Sequence, residues 1–247
     1  MSRFVFGLGL TLILTSGVRA AERIPVLLEL FTSEGCSSCP AADRLLAQLD
    51  RDQPIAGADL IVASEHVDYW NRLGWTDPFS SSLFSRRQQD YAAKLAVSDV
   101  YTPQLVVDGH AELVGSLRKE ATEAIERSLR EPKAPIVVTA SRSKAEVVVH
   151  IGAKSFAKRQ TANLFVMLAR NSVASNVRSG ENNGRRLAHV AVVQMIRPAG
   201  TWNMGEALDR KLSLKPSDAS SPGETRVIAF AQDPKTGRVL AVAQSKL

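Results

Sequence analysis

The apolar positions of the chain change period along its length, and those changes outline its elements. Val26-Leu27-Leu28-Glu29-Leu30-Phe31 is a nearly continuous apolar run of strand length, the pattern of a strand covered on both faces. Thr32-Ser33-Glu34-Gly35 breaks it. From Pro40 to Asp50, residues Ala42, Leu45, Leu46 and Leu49 recur at i, i+3, i+4 and i+7, one face of a helix. Pro40 suits the first turn, where the amides have no partner. Leu60 to Ser64 predicts a second buried strand. Strand, helix and strand within about 40 residues form a βαβ unit, which calls for a parallel sheet.

An aromatic stretch follows, from His66-Val67-Asp68-Tyr69-Trp70 to Gly74-Trp75-Thr76-Asp77-Pro78-Phe79. A helix is expected over Ser82 to Ala96, with Phe84, Tyr91 and Leu95 on one face. Val100-Tyr101-Thr102-Pro103 leads into a strand from Gln104 to Val107. Asp108-Gly109 is a hairpin signal, and the chain returns through Glu112-Leu113-Val114-Gly115. Leu117, Ala121, Ala124, Ile125 and Leu129 place a closing helix over 116–131. Residues 21–131 therefore read as an α/β domain, a central mixed sheet flanked by helices, with a helical insertion at about 66–99.

Glu131-Pro132-Lys133-Ala134-Pro135 reads as a linker from its prolines and charge. Beyond it the period becomes that of strands. Ile136 to Thr139 and Val147 to His150 flank a turn. Leu164 to Ala169, Leu187 to Ile196, Thr225 to Ala231 and Val239 to Ala243 follow, the last two joined by Asp233-Pro234-Lys235-Thr236-Gly237. Six short strands predict a smaller all-β, sandwich-like domain over 136–247.

Composition narrows the function. The 247 residues are 45% hydrophobic and 23% charged, enough to build a substantial core and unlike a disordered chain. At the N-terminus Arg3 precedes an apolar run from Phe4 to about Leu14, then Thr15-Ser16-Gly17-Val18-Arg19-Ala20. The run is short of the roughly 20 residues that span a bilayer. With small residues at Val18 and Ala20, it reads as a signal peptide over 1–20, leaving no stable membrane anchor after cleavage. A periplasmic or secreted location is expected. Without Arg3 and Arg19, 29 basic residues face 25 acidic, a net +4, with no run of four or more Lys/Arg. Nucleic acid is not an expected partner.

Location governs how the two cysteines read. Both lie in Gly35-Cys36-Ser37-Ser38-Cys39-Pro40, and an oxidising compartment favours a disulfide between them. A Cys-x-x-Cys at a strand-to-helix junction sets its first thiol where unpaired amides and the helix dipole favour the thiolate. The second thiol, one turn on, can resolve a mixed disulfide. Cys36 would be the nucleophile and Cys39 the resolving residue. A four-residue loop yields only about 2 kcal/mol as a staple, against more than 4 for a long one, which weighs for redox chemistry.

Around this motif the sequence resembles the thioredoxin superfamily over roughly residues 24–131. Phe31-Thr32-Ser33-Glu34-Gly35-Cys36-Ser37-Ser38-Cys39-Pro40, with His66-Val67-Asp68-Tyr69-Trp70, Gly74-Trp75 and Tyr101-Thr102-Pro103-Gln104, is similar to the secreted bacterial family catalogued as domain of unknown function 1223. Gly180-Glu181-Asn182-Asn183-Gly184 and His189-Val190-Ala191-Val192-Val193 extend the resemblance into the C-terminal half. It implies a cis-proline at Pro103 facing the cysteines, with the backbone of Thr102 open to a bound substrate strand. It also implies thiol–disulfide exchange with thiols or disulfides of secreted or periplasmic proteins, and needs no cofactor. Two departures stand out. Gly35 occupies the place of a tryptophan that covers the thioredoxin site. The buried strand carboxylate that takes the resolving cysteine's proton has no residue at the same offset, and Glu29, one position further away, is the candidate substitute.

Other candidates are the substrate-facing residues Glu34, expected exposed in its loop, and His66, Asp68 and Trp70. These last alternate just past a strand's carboxyl end, where α/β sheets place their sites. The favoured reading is packing, with Tyr69, Trp70 and Trp75 pinning the aromatic arm onto the fold and His66 a satisfied hydrogen-bond partner. Two further readings stand beside redox exchange. One is a thioredoxin-like binding protein with a structural disulfide. The other is a Cu(I) carrier using Cys36, Cys39 and His66, although His110, His150 and His189 lack zinc-site spacing and no metal site is assigned. The polar stretch Asn171 to Arg186 reads as a long loop, functional or merely flexible. The β-rich half is expected to dock a partner or form a homo-oligomer interface.

Overall fold

The computed structural model describes residues 23–156, 160–215 and 224–247. The signal peptide expected at 1–20 lies outside the described residues. The elements run β1 (Ile24–Thr32), α1 (Cys39–Asp52), β2 (Ala58–His66), a 3-10 turn (Asn71–Leu73), α2 (Ser82–Leu95), β3 (Gln104–Val107), β4 (Ala111–Val114) and α3 (Arg118–Ser128). Seven strands follow: β5 (Val137–Ser143), β6 (Glu146–Ala153), β7 (Thr161–Asn176), β8 (Arg186–Asn203), β9 (Leu208–Leu214), β10 (Thr225–Gln232) and β11 (Val239–Lys246).

Local chemistry explains the helix ends. Pro40 opens α1, and Gln53 closes it with a left-handed backbone, φ 46°. The Gln53 side chain also pairs with both the N–H and the C=O of Leu60, fixing the turn into β2. Ser81 caps α2 by accepting from the Leu83 amide.

Eight strands share one mixed sheet in the order β11-β10-β7-β8-β2-β1-β3-β4. β1 runs parallel to β2 from Ile24 opposite Ala58 to Thr32 opposite His66, and antiparallel to β3. β1 alternates sharply. Val26, Leu28 and Leu30 pack with Leu45, Leu46 and Leu49 of α1 and Ala121, Ala124 and Ile125 of α3. Leu27 points to the opposite face, with Ile61, Phe84 of α2, Met167 and Phe230. Each such buried leucine contributes about 2 kcal/mol. The Thr102–Pro103 peptide is cis.

The C-terminal half departs from the sequence expectation. A second sheet, β5-β6-β9, does pack against the first through Val147, Val149, Ile151, Leu164, Val166 and Val227. The other four strands, however, extend the N-terminal sheet, joined where Ser64 of β2 pairs with Val192 of β8. Residues 136–247 thus do not own a separate pair of sheets. The linker segment is pinned as well. Lys133 Nζ reaches Asp108 and the Pro25 carbonyl, and the Ala134 amide donates to Leu240 at 2.8 Å. Strand β9 lies outside the six expected strands because Asp209, Arg210 and Lys211 interrupt its apolar positions Leu208, Leu212 and Leu214, as charges on solvent-facing edges do.

Candidate functional site

β1 ends at Thr32 and α1 starts at Cys39, so the intervening loop sits at the carboxyl end of the strand and the amino end of the helix. Cys36 and Cys39 are joined by a disulfide, with their Cα atoms 5.4 Å apart. The Ser38 hydroxyl lies 3.3 Å from Cys36 Sγ, and the Thr102 carbonyl oxygen 3.9 Å from it. Trp70 donates its indole N–H to Thr102 Oγ1 at 2.8 Å. Trp70 also packs over Gly35, where an added Cβ would come within 3.2 Å of the Trp70 Cβ. Both cysteines are 0% exposed, although Ser37 and Ser38 between them face solvent.

Beneath the disulfide lies a buried group of five ionisable side chains. Asp43 follows Cys39 by four residues on α1, hence on the same helix face. Its Oδ1 accepts from Thr32 Oγ1 at 3.0 Å, and its Oδ2 stands 3.5 Å from His189 Nδ1. His189 Nε2 is 3.2 Å from Glu34 Oε1. Burial alone would lower the His189 pKa, but hydrogen bonding and charge from Asp43 and Glu34 outweigh it and push the imidazole up to about 10. His189 is therefore a cation between two carboxylates. Its ring meets the edge of His66 at 4.6 Å. His66 Nδ1 is 2.7 Å from Asp77 Oδ2, which also accepts the Glu34 amide at 2.8 Å. Burial works to raise Asp77, yet His66 and the donated amides hold it below the usual carboxylate range.

Several sequence candidates meet here. Cys36, Cys39, Thr102 and Trp70 are in one contact group, and Pro103 is buried beside them, its carbonyl accepting from the Gly115 amide. Glu34 is not exposed as expected. It is 0% exposed, because its carboxylate is taken up by Ser175, His189 and the Trp75 indole. His66 is equally sealed, so it shapes the site from below. Asp68 is tied to Ser85 of α2 and anchors the arm.

Glu29 goes elsewhere. Its odd position on β1 turns it to the α2 face, away from α1 and Cys39. There the Arg87 guanidinium lies 2.6 Å from Glu29 Oε1, and the Tyr91 hydroxyl donates to Oε2 at 2.5 Å. Arg87 is 3.6 Å from Glu65, whose carboxyl is pushed well above the usual range by burial and by the charge of Glu29. This second buried cluster borders a cleft of about 530 Å³ lined by Arg86, Arg87, Tyr91, Lys94, Phe165 and Gln232. The proton-acceptor role expected of Glu29 is corrected by this geometry.

The C-terminal half supplies what the sequence reading missed. β7 and β8 form a long hairpin, and Asn171 to Arg186 is only partly loop, since β7 continues to Asn176. The tip, 177–185, is closed by Val177 N–H to Arg185 O and Gly184 N–H to Val177 O, both 2.9 Å. Asn182 is fully buried and donates to the carbonyls of Glu34 and Cys36 at 2.8 and 2.9 Å. Glu181 accepts the Ser37 amide at 2.9 Å. The clustering of Gly180, Glu181, Asn182, Asn183 and Gly184 was the available signal. Nothing in the spacing linked it, or His189, to the cysteines.

Among the described residues no group of three or more His, Cys, Asp or Glu is arranged to hold a metal ion. No helix among them is long and apolar enough to cross a membrane.

The chain is similar to the solved structure of the protein AGR_C_4864 from Agrobacterium tumefaciens, at 27% identity and a TM-score of 0.66, covering 92% of this chain and 95% of that one. A domain of the outer membrane lipoprotein Omp28 from Porphyromonas gingivalis shares 14% identity, covering 45% of this chain and 93% of that one, with a TM-score of 0.27. The sporulation control protein Spo0M from Bacillus subtilis also shares 14%, covering 47% and 49%, with a TM-score of 0.31. No curated protein matches the chain. The model of the family described as protein of unknown function (DUF1223) matches residues 27–232, a span that takes in both cysteines, the buried cluster and the hairpin tip, and the chain belongs to that family.

Proposed function

We infer that this protein is a periplasmic or secreted thiol–disulfide oxidoreductase acting on thiols or disulfides of other secreted proteins. The observation that carries the reading is the Cys36–Cys39 disulfide at the amino end of α1 with the Thr102 carbonyl 3.9 Å from Cys36 Sγ. That end of a helix favours a thiolate, and a partner strand pairing with the Thr102 backbone would lie beside Cys36. The strand order β2-β1-β3-β4, parallel then antiparallel, with α1 and α3 on one face, supports a thioredoxin-like unit. Trp70, packed against Gly35 and bonded to Thr102, would take the covering place that a tryptophan before the first cysteine holds in thioredoxins. Asp43, four residues past Cys39 and held by Thr32 and His189, fits the proton acceptor better than Glu29.

In exchange, the Cys36 thiolate attacks a partner disulfide, displacing one partner thiol and forming a mixed disulfide. Cys39 then loses its proton and attacks Cys36 Sγ. The second partner thiol leaves, so the partner is reduced as Cys36 and Cys39 are oxidised; the reverse sequence oxidises a dithiol.

One observation favours a second reading. Both cysteines are sealed from solvent, and buried cysteines are typically inert. The disulfide would then be a structural staple in a binding protein. Equilibration in glutathione or dithiothreitol buffers separates the two. A reduction potential above about −280 mV, with partner proteins trapped by Cys39→Ser, supports exchange. A potential below roughly −300 mV with nothing trapped leaves the staple.

A further inference from the structure

We propose that the tip of the β7–β8 hairpin, residues 177–185, is a cap that closes over the Cys36–Cys39 disulfide and must lift before any thiol reaches it. The inference rests on the exchange reading for its purpose, though the cap itself is tested without it.

The contacts are directed at the reactive segment. Asn182 inserts its amide between two carbonyls of the cysteine loop, those of Glu34 and Cys36. Its own Oδ1 is occupied within the tip by Arg185 Nη1 at 2.7 Å, so the two bonds that join Asn182 to the cysteine loop are those of its NH2 group. Glu181 accepts the Ser37 amide, between the two cysteines and just before α1. On the other flank, Gly180 rests on Trp75, where an added Cβ would come within 3.2 Å of the Trp75 Cβ, and Ser179 donates to the Gly74 carbonyl at 2.5 Å. The tip thereby bridges the cysteine loop and the aromatic arm.

The same tip is built to release. From Arg178 to Arg186 only Asn182 is buried, and no apolar side chain in that stretch anchors it. The nearest apolar anchors are Val177 and Leu187, at the ends of the two strands. A segment held mainly by polar contacts opens at lower cost than the core, because water replaces each hydrogen bond. Gly180 and Gly184, at φ 71° and 78°, mark its two corners.

Lifting the tip uncovers the disulfide to a dithiol. One thiolate of dithiothreitol then attacks a cysteine sulfur and expels the other cysteine as a thiolate, which takes up a proton. The second thiol closes on the mixed disulfide, giving two cysteine thiols and cyclic oxidised dithiothreitol.

The experiment measures that reduction rate under native conditions in the full mature chain, by alkylating the released thiols and reading the mass shift. Asn182→Ala is expected to speed it at least tenfold. Glu181→Ala, an exposed change that leaves packing intact, is expected to speed it about threefold, with the urea midpoint unchanged. Rates within a factor of 1.5 of the parent for Glu181→Ala, and for Asn182→Ala if it folds, overturn the cap. If Asn182→Ala does not fold, Glu181→Ala alone decides. Acceleration in variants whose Cys39→Ser forms trap no partner leaves the cap standing and removes the exchange reading.

Discussion

His189 Nε2 and Glu34 Oε1 meet at 3.2 Å although 155 residues separate them in the chain. The pair joins a strand of the C-terminal hairpin to the residue two before Cys36, in a place sealed from water. With Asp43 on its other nitrogen, His189 is held as a cation, and that makes stability depend on pH.

The histidine pKa is 6.5 in the unfolded chain and about 10 in the folded one. The folded chain binds the proton more tightly, so the contribution is full below pH 6.5 and is lost as pH rises through about 10. His189→Gln leaves two buried carboxylates without their cation and is expected to cost about 3–5 kcal/mol at pH 6. Urea titrations at several pH values should show the gap between variant and parent narrowing towards pH 10. A gap independent of pH would mean that His189 is neutral when buried.

Glu65 works in the opposite cluster. Burial and the charge of Glu29 push its carboxyl well above the usual carboxylate range, whereas in the unfolded chain it ionises near 4.5. Folded protein therefore loses stability as pH rises above that value, until the folded carboxyl itself ionises. Glu65→Gln removes this loss. Relative to the parent, the variant should gain up to about 1.4 kcal/mol for each pH unit over that range. Denaturant midpoints at pH 5 and pH 8 check it, and a constant difference would contradict the shared-charge account.

Arg226 on β10 makes a two-pronged ion pair with Asp50 on α1, at 2.8 and 3.0 Å, and donates to Asn171 at 2.7 Å. Its side chain is 4% exposed. Arg226→Ala is expected to cost about 2–4 kcal/mol, since Asp50 is left partly buried without its counter-charge. Arg226→Lys should restore less than half, because an ammonium cannot reproduce the fork. Full rescue by lysine, read from the urea midpoint, would show that charge alone suffices.

The disulfide closes a loop of four residues, so converting Cys36 and Cys39 together to alanine should cost about 2 kcal/mol on the chain-entropy estimate. Thermal or urea unfolding of that variant measures it. A cost well beyond this would mark the bond as an organiser of the buried cluster beneath it.

How far the sequence reached is clearest from individual elements. Strand β3 and helices α1 and α2 fell within two residues of expectation, because their apolar periods are strong and Pro40 and Ser81 punctuate them. The cysteine pair, Thr102 and Trp70 were legible for the same local reason. Glu29 was misread because distance along the chain does not reveal which face of a strand a side chain takes. Its alternation with Leu28 and Leu30 held that information. His189, Asn182 and Asp77 were not legible as site residues. They reach the cysteine loop through strand pairing and loop packing across the fold, and no local spacing encodes such a meeting.

The single hydrogen-bonded bridge between Ser64 and Val192 has a consequence for anyone who divides the chain near residue 131. In the whole protein, β8 meets β2 near the carboxyl end of that strand. Without the C-terminal half, β2 becomes an outermost strand, and at Ser64 it loses the partner that β8 supplies. A fragment ending there would also uncover Leu27, Ile61 and Ala63, which Met167, Val193 and Phe230 bury in the whole chain, and it should associate with copies of itself in solution.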